Sequence, residues 1–240
     1  MFTLHNGDCL QYMKSLPDKV FDLVVTDPPY GMNYLSNYYK SKNPFGKIIG
    51  DDKYPVELIP EFQRLARKAV FAFCRWDNLK EVPPPKSFIV WVKNNWTAGD
   101  LKHAYGRMWE GILFYPLDEH EFNTRPPDVF DSRRIPQKDL VHPTQKPVAL
   151  IKWLIEVNAN QNEVVFDPFM GVGTTGVAAL ELGLHFVGCE IDPEYFEIAE
   201  KRITQASLQQ GLFNSTNNHI RQNAVSQPTF EGFASQAESS

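Results

Sequence analysis

Two short stretches carry residue types that could do chemistry. The first, "FDLVVTDPPYG" at 21–31, is an apolar run that stops at Asp27-Pro28-Pro29-Tyr30. There the Asp27 carboxylate and the Pro28 carbonyl stand together as hydrogen-bond acceptors. Pro28 and Pro29 each fix φ near about −65°, so the corner needs little reorganisation to present them. Tyr30 adds a flat ring beside them, and Gly31 lets the chain turn away. Such a corner suits a planar group that carries N–H donors. The bland alternative is a strand end capped by an acid, with a tyrosine packed on the surface.

The second stretch is "VVFDPFMGVGTTGVAALELGLHFVGCEIDPEYF" at 164–196. A strand runs into Asp167, Gly171-Val172-Gly173-Thr174-Thr175 opens a helix, and the following strand ends at Glu190. In doubly wound folds this layout holds a nucleotide-like ligand: the glycines let backbone approach it and the distant acid accepts from ribose hydroxyls. Gly176 completes a G-x-G-x-x-G spacing, but "DPFM" ahead of it is foreign to the dinucleotide fingerprint. An acid before the turn favours a ligand with a positive amino group over one with a pyrophosphate.

These elements must be positioned by a sheet. Seven apolar runs rich in Val, Ile and Phe read as strands: 2–5, 21–26, 69–74, 87–93, 111–117, 163–168 and 185–191. Helical patterns at 55–68, 144–159, 174–183 and 193–211 lie between them, so βαβ units and a mainly parallel sheet are expected. Pro60 weakens the first half of the 55–68 pattern, whereas Pro147 falls in a first turn, where proline is tolerated. The proline-rich segment 116–143 reads as a long irregular loop, of the kind that inside compact domains is functional or disordered. Residues 211–240 are mostly Asn, Gln, Ser, Thr and Ala and read as a flexible polar tail.

Composition narrows the class. The 240 residues, 42% hydrophobic, suit one large domain, and the net charge of −5 argues against coating nucleic acid by bulk charge. No apolar run approaches the roughly 18 residues of a membrane span, and the N-terminus lacks signal-peptide character. Three widely spaced cysteines, Cys9, Cys74 and Cys189, suit a reducing cytoplasm and packing roles better than disulfides or a metal site.

"DPFMGVGTT" with "GCEIDPEYFEIAEKRI", "TDPPYG" and "HPTQKP" (142–147) together resemble the signatures of S-adenosylmethionine-dependent DNA amino-methyltransferases. The catalytic signature precedes the glycine turn, which is similar to the circularly permuted beta group. The likeness covers about residues 1–205. It implies a Rossmann-like, seven-stranded α/β domain over 1–210, helices on both faces, and a short target-recognition loop at about 116–141.

The resemblance also implies roles. Asp27, Pro28, Pro29 and Tyr30 form the catalytic corner for a flipped-out base in DNA. Asp8 meets the cofactor adenine with Cys9 nearby, although Asp8 also reads as a plain turn acid. Asp167 takes the methionine amino group and Glu190 the ribose. Phe169, Gly171, Gly173, Thr174 and Thr175 line the methionine end, and Thr144, Gln145 and Lys146 offer a helix start and a charge to its carboxylate. Lys40, Lys42 and Lys47, interleaved with tyrosines, and Arg133, Arg134 and Lys138 suit DNA phosphates; a solvated loop is the alternative for each window. The short recognition segment leaves a short site or a homodimer as routes to specificity.

Asp in the first position of the corner is commoner for adenine N6 than for cytosine N4, so adenine is the expected target. Cytosine N4 and a catalytically silent DNA-binding module are the competing expectations. A paired restriction nuclease fits such an enzyme.

Overall fold

The computed structural model describes residues 1–31, 53–93, 102–103, 105–132 and 145–225, with side chains up to residue 211. Among them eight strands form one sheet. In chain order the elements are β1 (Phe2–Asn6), α1 (Cys9–Lys14), β2 (Phe21–Thr26), a 3-10 turn (Val56–Leu58), α2 (Ile59–Leu65) and β3 (Ala66–Cys74). A second 3-10 turn (Trp76–Asn78), β4 (Ser87–Val92), β5 (Trp109–Pro116) and β6 (Val129–Asp131) follow. Then come α3 (Val148–Glu156), β7 (Val164–Asp167), α4 (Thr174–Glu181), β8 (His185–Glu190) and α5 (Pro193–Val225).

The sheet order is β1-β8-β7-β2-β3-β5-β4-β6. Every pairing is parallel except the two made by β5, which runs against both β3 and β4. All six residues of β2 are buried, as a central parallel strand requires, because helices cover both of its faces. Leu23 and Val25 pack toward the side that holds α3, α4 and α5; Phe21 and Val24 pack toward α1 and α2.

The winding reverses between β7 and β2, which pair through Leu23↔Val165 and Val24↔Phe166. Asp22 reinforces that junction: its carboxylate accepts from the Val164 amide at 2.8 Å and pairs with Arg67 at 2.9 Å. The carboxyl ends of β7 and β2, bearing Asp167 and Asp27, therefore stand side by side where ligands collect in open α/β sheets.

All seven expected strands are present, but the sheet has an eighth. β6 lies inside the segment expected to be irregular and pairs with β4 through Val90↔Val129. Three residues between prolines carry no readable period, so only the partner strand reveals it. The expected 55–68 helix is shorter, because Ala66 already belongs to β3. The 144–159 pattern becomes helix only from Val148, with Pro147 as its N-cap. α1 was not expected; Asp8 caps it by accepting from the Leu10 amide at 2.8 Å.

The tail also departs from expectation. α5 does not stop at Gly211 but continues to Val225. Glycine costs a helix only about 1 kcal/mol relative to alanine, and no proline interrupts the run before Pro228. No described helix is long and apolar enough to cross a membrane.

Candidate active site

The two chemical stretches open onto one cavity of about 320 Å³. Its wall includes Asp27, Pro28, Pro29 and Tyr30 from the corner after β2. It also includes Asp167, Phe169, Gly171, Thr174 and Thr175 around the turn after β7, and Glu190 from the end of β8. Asp8, Cys9, Gln145 and Lys146 complete the part of the wall expected from sequence.

At the glycine end the acids are held by their own neighbourhood. Asp167 is buried; it accepts from Thr175 Oγ1 at 2.7 Å and from the Phe169 amide at 3.1 Å. Burial, against those hydrogen bonds, pushes its carboxyl up to about 7. Glu190 accepts from the Gly171 amide at 2.8 Å and the Asp192 amide at 2.9 Å. Burial raises its pKa as well.

The two glycines of the turn do different work. Gly171 (φ +51°) has no atom within 4 Å of the position a Cβ would take, so its backbone faces open space. Gly173 (φ +78°) would drive a Cβ to 2.9 Å from Ile203 Cδ1, because α5 packs directly on it and does not face the cavity there. Arg202 of α5 also donates to the Val172 carbonyl, pinning the turn from behind.

The other end is organised by long-range contacts. Tyr30 Oη donates to Asp27 Oδ1 at 2.7 Å. Lys146 Nζ donates to Asp27 Oδ2 at 2.5 Å and lies 3.3 Å from Glu110 Oε2. Lys93 donates to the other oxygen of Glu110 at 2.7 Å. The ammonium of Lys146 also sits 5.4 Å from the centroid of the Tyr30 ring and 5.0 Å from that of Phe73. Burial pushes the Asp27 carboxyl up despite this cation. The flanking Asp27 and Glu110 carboxylates hold the Lys146 proton in place against burial. Two ammonium groups, outweighing burial, hold Glu110 down at about 2.

Lys146 thus stands apart from its expected place. It was to offer charge to an anion at a helix start, but the helix begins later and the ammonium turns onto Asp27. Asp8 caps α1, as its reading as a turn acid expects, and it also lines the cavity. Burial pushes the Cys9 thiol up to about 12, which leaves it protonated at neutral pH and suits a packing role. Thr144, together with Lys40, Lys42, Lys47, Arg133, Arg134 and Lys138, lies outside the described residues.

Sequence reasoning missed Glu110, Lys93, Phe73 and Thr26, as well as Asp192 and Tyr195 on the cavity wall. Tyr195 could have been found, since it follows the acid-ended strand by one helical turn. Glu110 and Lys93 offer no local signal.

Among the described residues, the cavity wall carries five acids (Asp8, Asp27, Asp167, Glu190 and Asp192) and one cation, Lys146, already engaged by carboxylates. That balance suits a cationic ligand and opposes a polyphosphate. No described group of His, Cys, Asp and Glu is arranged to hold a metal ion.

On the same sheet edge, Trp76 follows β3 and is 56% exposed, while Tyr105 and Arg107, also exposed, lead into the antiparallel β5. Aromatic and basic side chains are therefore exposed just after β3 and just before β5.

Comparison with known proteins agrees with these features. A family model described as DNA methylase, of the N6/N4 type, matches residues 101–201. The DNA adenine methyltransferase YhdJ of Escherichia coli (strain K12) is 27% identical, spanning 85% of this chain and 83% of that protein. The type II methyltransferase M.BglII of Bacillus subtilis is 26% identical over 82% of this chain and 67% of its own length. Among solved structures, the M1.HpyAVI–SAM complex superposes with a TM-score of 0.61 at 28% identity, covering 84% of this chain and all of that one. PvuII DNA methyltransferase, cytosine-N4-specific, shares the fold with a TM-score of 0.60 at 16% identity, over 87% of this chain and 92% of its own.

Proposed function

We propose that this chain, which belongs to the N6/N4 family of DNA methylases, transfers the methyl group of S-adenosylmethionine to the N6 amino group of adenine in DNA. The observation that carries the reading is that Asp27 and Asp167, on adjoining strand ends, line the same cavity.

The residues present fit the cofactor. Asp167 is a buried carboxylate for its ammonium, and Glu190 accepts from ribose hydroxyls with the lone pairs that its two amide bonds leave unused. The open face of Gly171 admits the methionine chain beside Phe169, with Thr174 and Thr175 behind it and Gly173 closing the turn onto α5. Asp8 and Cys9 border the adenine, and Gln145 reaches the same wall. When bound, S-adenosylmethionine supplies an electrophilic methyl carbon on a positively charged sulfur.

The rest is the work of the corner. An exocyclic amino group is a poor nucleophile because its lone pair is delocalised into the base ring. Asp27 and the Pro28 carbonyl accept from its N–H bonds and favour a pyramidal nitrogen whose lone pair points into the cavity. Such alignment supplies roughly 7–11 kcal/mol in favourable cases. Pro29 keeps the corner rigid. Tyr30 stacks with the extruded base, returning about 1–3 kcal/mol of the cost of leaving the duplex.

Adenine is favoured by the aspartate that opens the corner and by the adenine-methylating relative YhdJ. Cytosine N4 is the second reading, favoured by the shared N6/N4 family model. Trp76, Tyr105 and Arg107 supply aromatic and basic contact with DNA on the described edge; Arg133, Arg134, Lys138, Lys40, Lys42 and Lys47 are proposed to add phosphate contacts. Incubation with labelled S-adenosylmethionine and mixed-sequence DNA, followed by digestion to nucleosides, tests the reading. N6-methyladenine is the expected product, N4-methylcytosine would move the assignment to the second reading, and no transfer would overturn both.

A further inference from the structure

We infer that Lys146 is a positioning residue for Asp27: its ammonium, tethered by Glu110, fixes the carboxylate ionised and in one orientation facing the methyl acceptor. The inference rests on the reading of Asp27 as the acceptor of the amino group's hydrogen bonds. Lys146 is itself 6% exposed and is paired with Asp27 at 2.5 Å and with Glu110 at 3.3 Å. Glu110 is fixed in turn by Lys93 at 2.7 Å. Charges thus alternate from the end of β4, through β5 and the approach to α3, to the corner after β2.

This arrangement has a chemical purpose that a plain stabilising pair would not. A buried carboxylate without a cation favours its protonated form, which presents a donor and loses acceptor capacity. Lys146 opposes that loss. It binds one oxygen of Asp27 while Tyr30 Oη binds the other. Each carboxylate oxygen has a second lone pair, so an incoming N–H bond can be accepted without displacing either donor. The ammonium also lies over the Tyr30 ring, so one residue orients both the acceptor and the stacking surface.

Among the described residues, the groups that face Asp27 are Tyr30 in its own corner, Lys146 before α3, Glu110 on β5, Asp167 on β7 and Tyr54 before α2. Only Lys146 among them is a cation, so its removal shifts the Asp27 titration in one direction, upward.

Lys146→Met is tested against the parent by single-turnover methyl transfer across pH, by titration calorimetry with S-adenosylmethionine, and by carboxyl NMR titration of Asp27 in the free protein. The transfer rate is expected to fall about 10²-fold at neutral pH, the cost of a misplaced reacting partner. Its acid limb and the Asp27 titration should both move to higher pH, while cofactor affinity stays within about twofold. If the methionine variant does not fold, Lys146→Gln, which keeps a donor and similar length, is read the same way. Unchanged rate and titration would overturn the inference. So would a weakened cofactor affinity with the rate preserved, which would make Lys146 a cofactor ligand. A parent that methylates nothing removes the underlying reading, whereas an active parent with an indifferent variant removes only the role of Lys146.

Discussion

The two ends of the cavity are built in opposite ways. At the glycine end, Asp167 and Glu190 are held by Phe169, Gly171, Thr175 and Asp192, all close to them along the chain or on the adjoining turn. At the corner, Asp27 is held by Lys146, 119 residues away, and through it by Glu110 and Lys93. The first end is preorganised as soon as its own strand, turn and helix form. The second is complete only when β2, β4, β5 and the approach to α3 have all docked. Ligand binding should therefore tolerate disturbance of the corner, while transfer should not.

The largest effect that would break this contrast belongs to Asp27. Asp27→Ala should lower methyl transfer by about 10³-fold or more, with cofactor affinity nearly unchanged, because its hydrogen bonds matter mainly in the transition state. Calorimetry and a transfer assay on the same preparation check both halves. A variant as active as the parent removes the assigned role.

At the other end the pattern inverts. Asp167→Ala should weaken cofactor affinity by about 10–10² fold, the loss of a charge-assisted hydrogen bond worth about 1.5–3 kcal/mol. Glu190→Ala should cost about tenfold, partly through loss of its grip on the Gly171 amide. An unchanged dissociation constant for either would take that residue out of the site.

A smaller effect sharpens the contrast through pH. Burial pushes the Asp167 carboxyl up to about 7, well above its ordinary value. Only the ionised form attracts an ammonium, so cofactor affinity should rise as pH increases through 7. The linkage for stability has the opposite sign. A raised folded pKa contributes stability below its unfolded value, lost as pH climbs through 7. Calorimetry at pH 6 and pH 8 reads the first effect, and a flat affinity would contradict it. Smaller again, Gly31→Ala should destabilise the fold by about 1–2 kcal/mol from its φ of +75° alone. Its Cβ would also meet the Lys53 backbone at 2.7 Å, so a thermal melt should show at least that loss.

The same contrast decides what could be read from sequence. The seven long strands and the glycine turn were legible because burial and backbone geometry leave a local pattern, as in the unbroken apolar run of β2. Asp167 and Glu190 were legible because each ends a strand beside such a turn. The partner of Asp27 was not, since nothing near Lys146 encodes a contact made across four elements, and its position near a helix start suggested an anion instead. β6 was invisible for a related reason: its three residues acquire meaning only beside β4. The extension of α5 beyond Gly211 was masked by polar composition, which reports the lack of a core-facing stripe and not the lack of a helix.

The shared cavity is tested most directly by a crystal structure of the protein with S-adenosylmethionine bound. The account predicts the methionine ammonium on Asp167, the ribose on Glu190, and the methyl carbon directed at the space in front of Asp27 and Tyr30. A cofactor seated elsewhere, or one whose methyl points away from that corner, would contradict it.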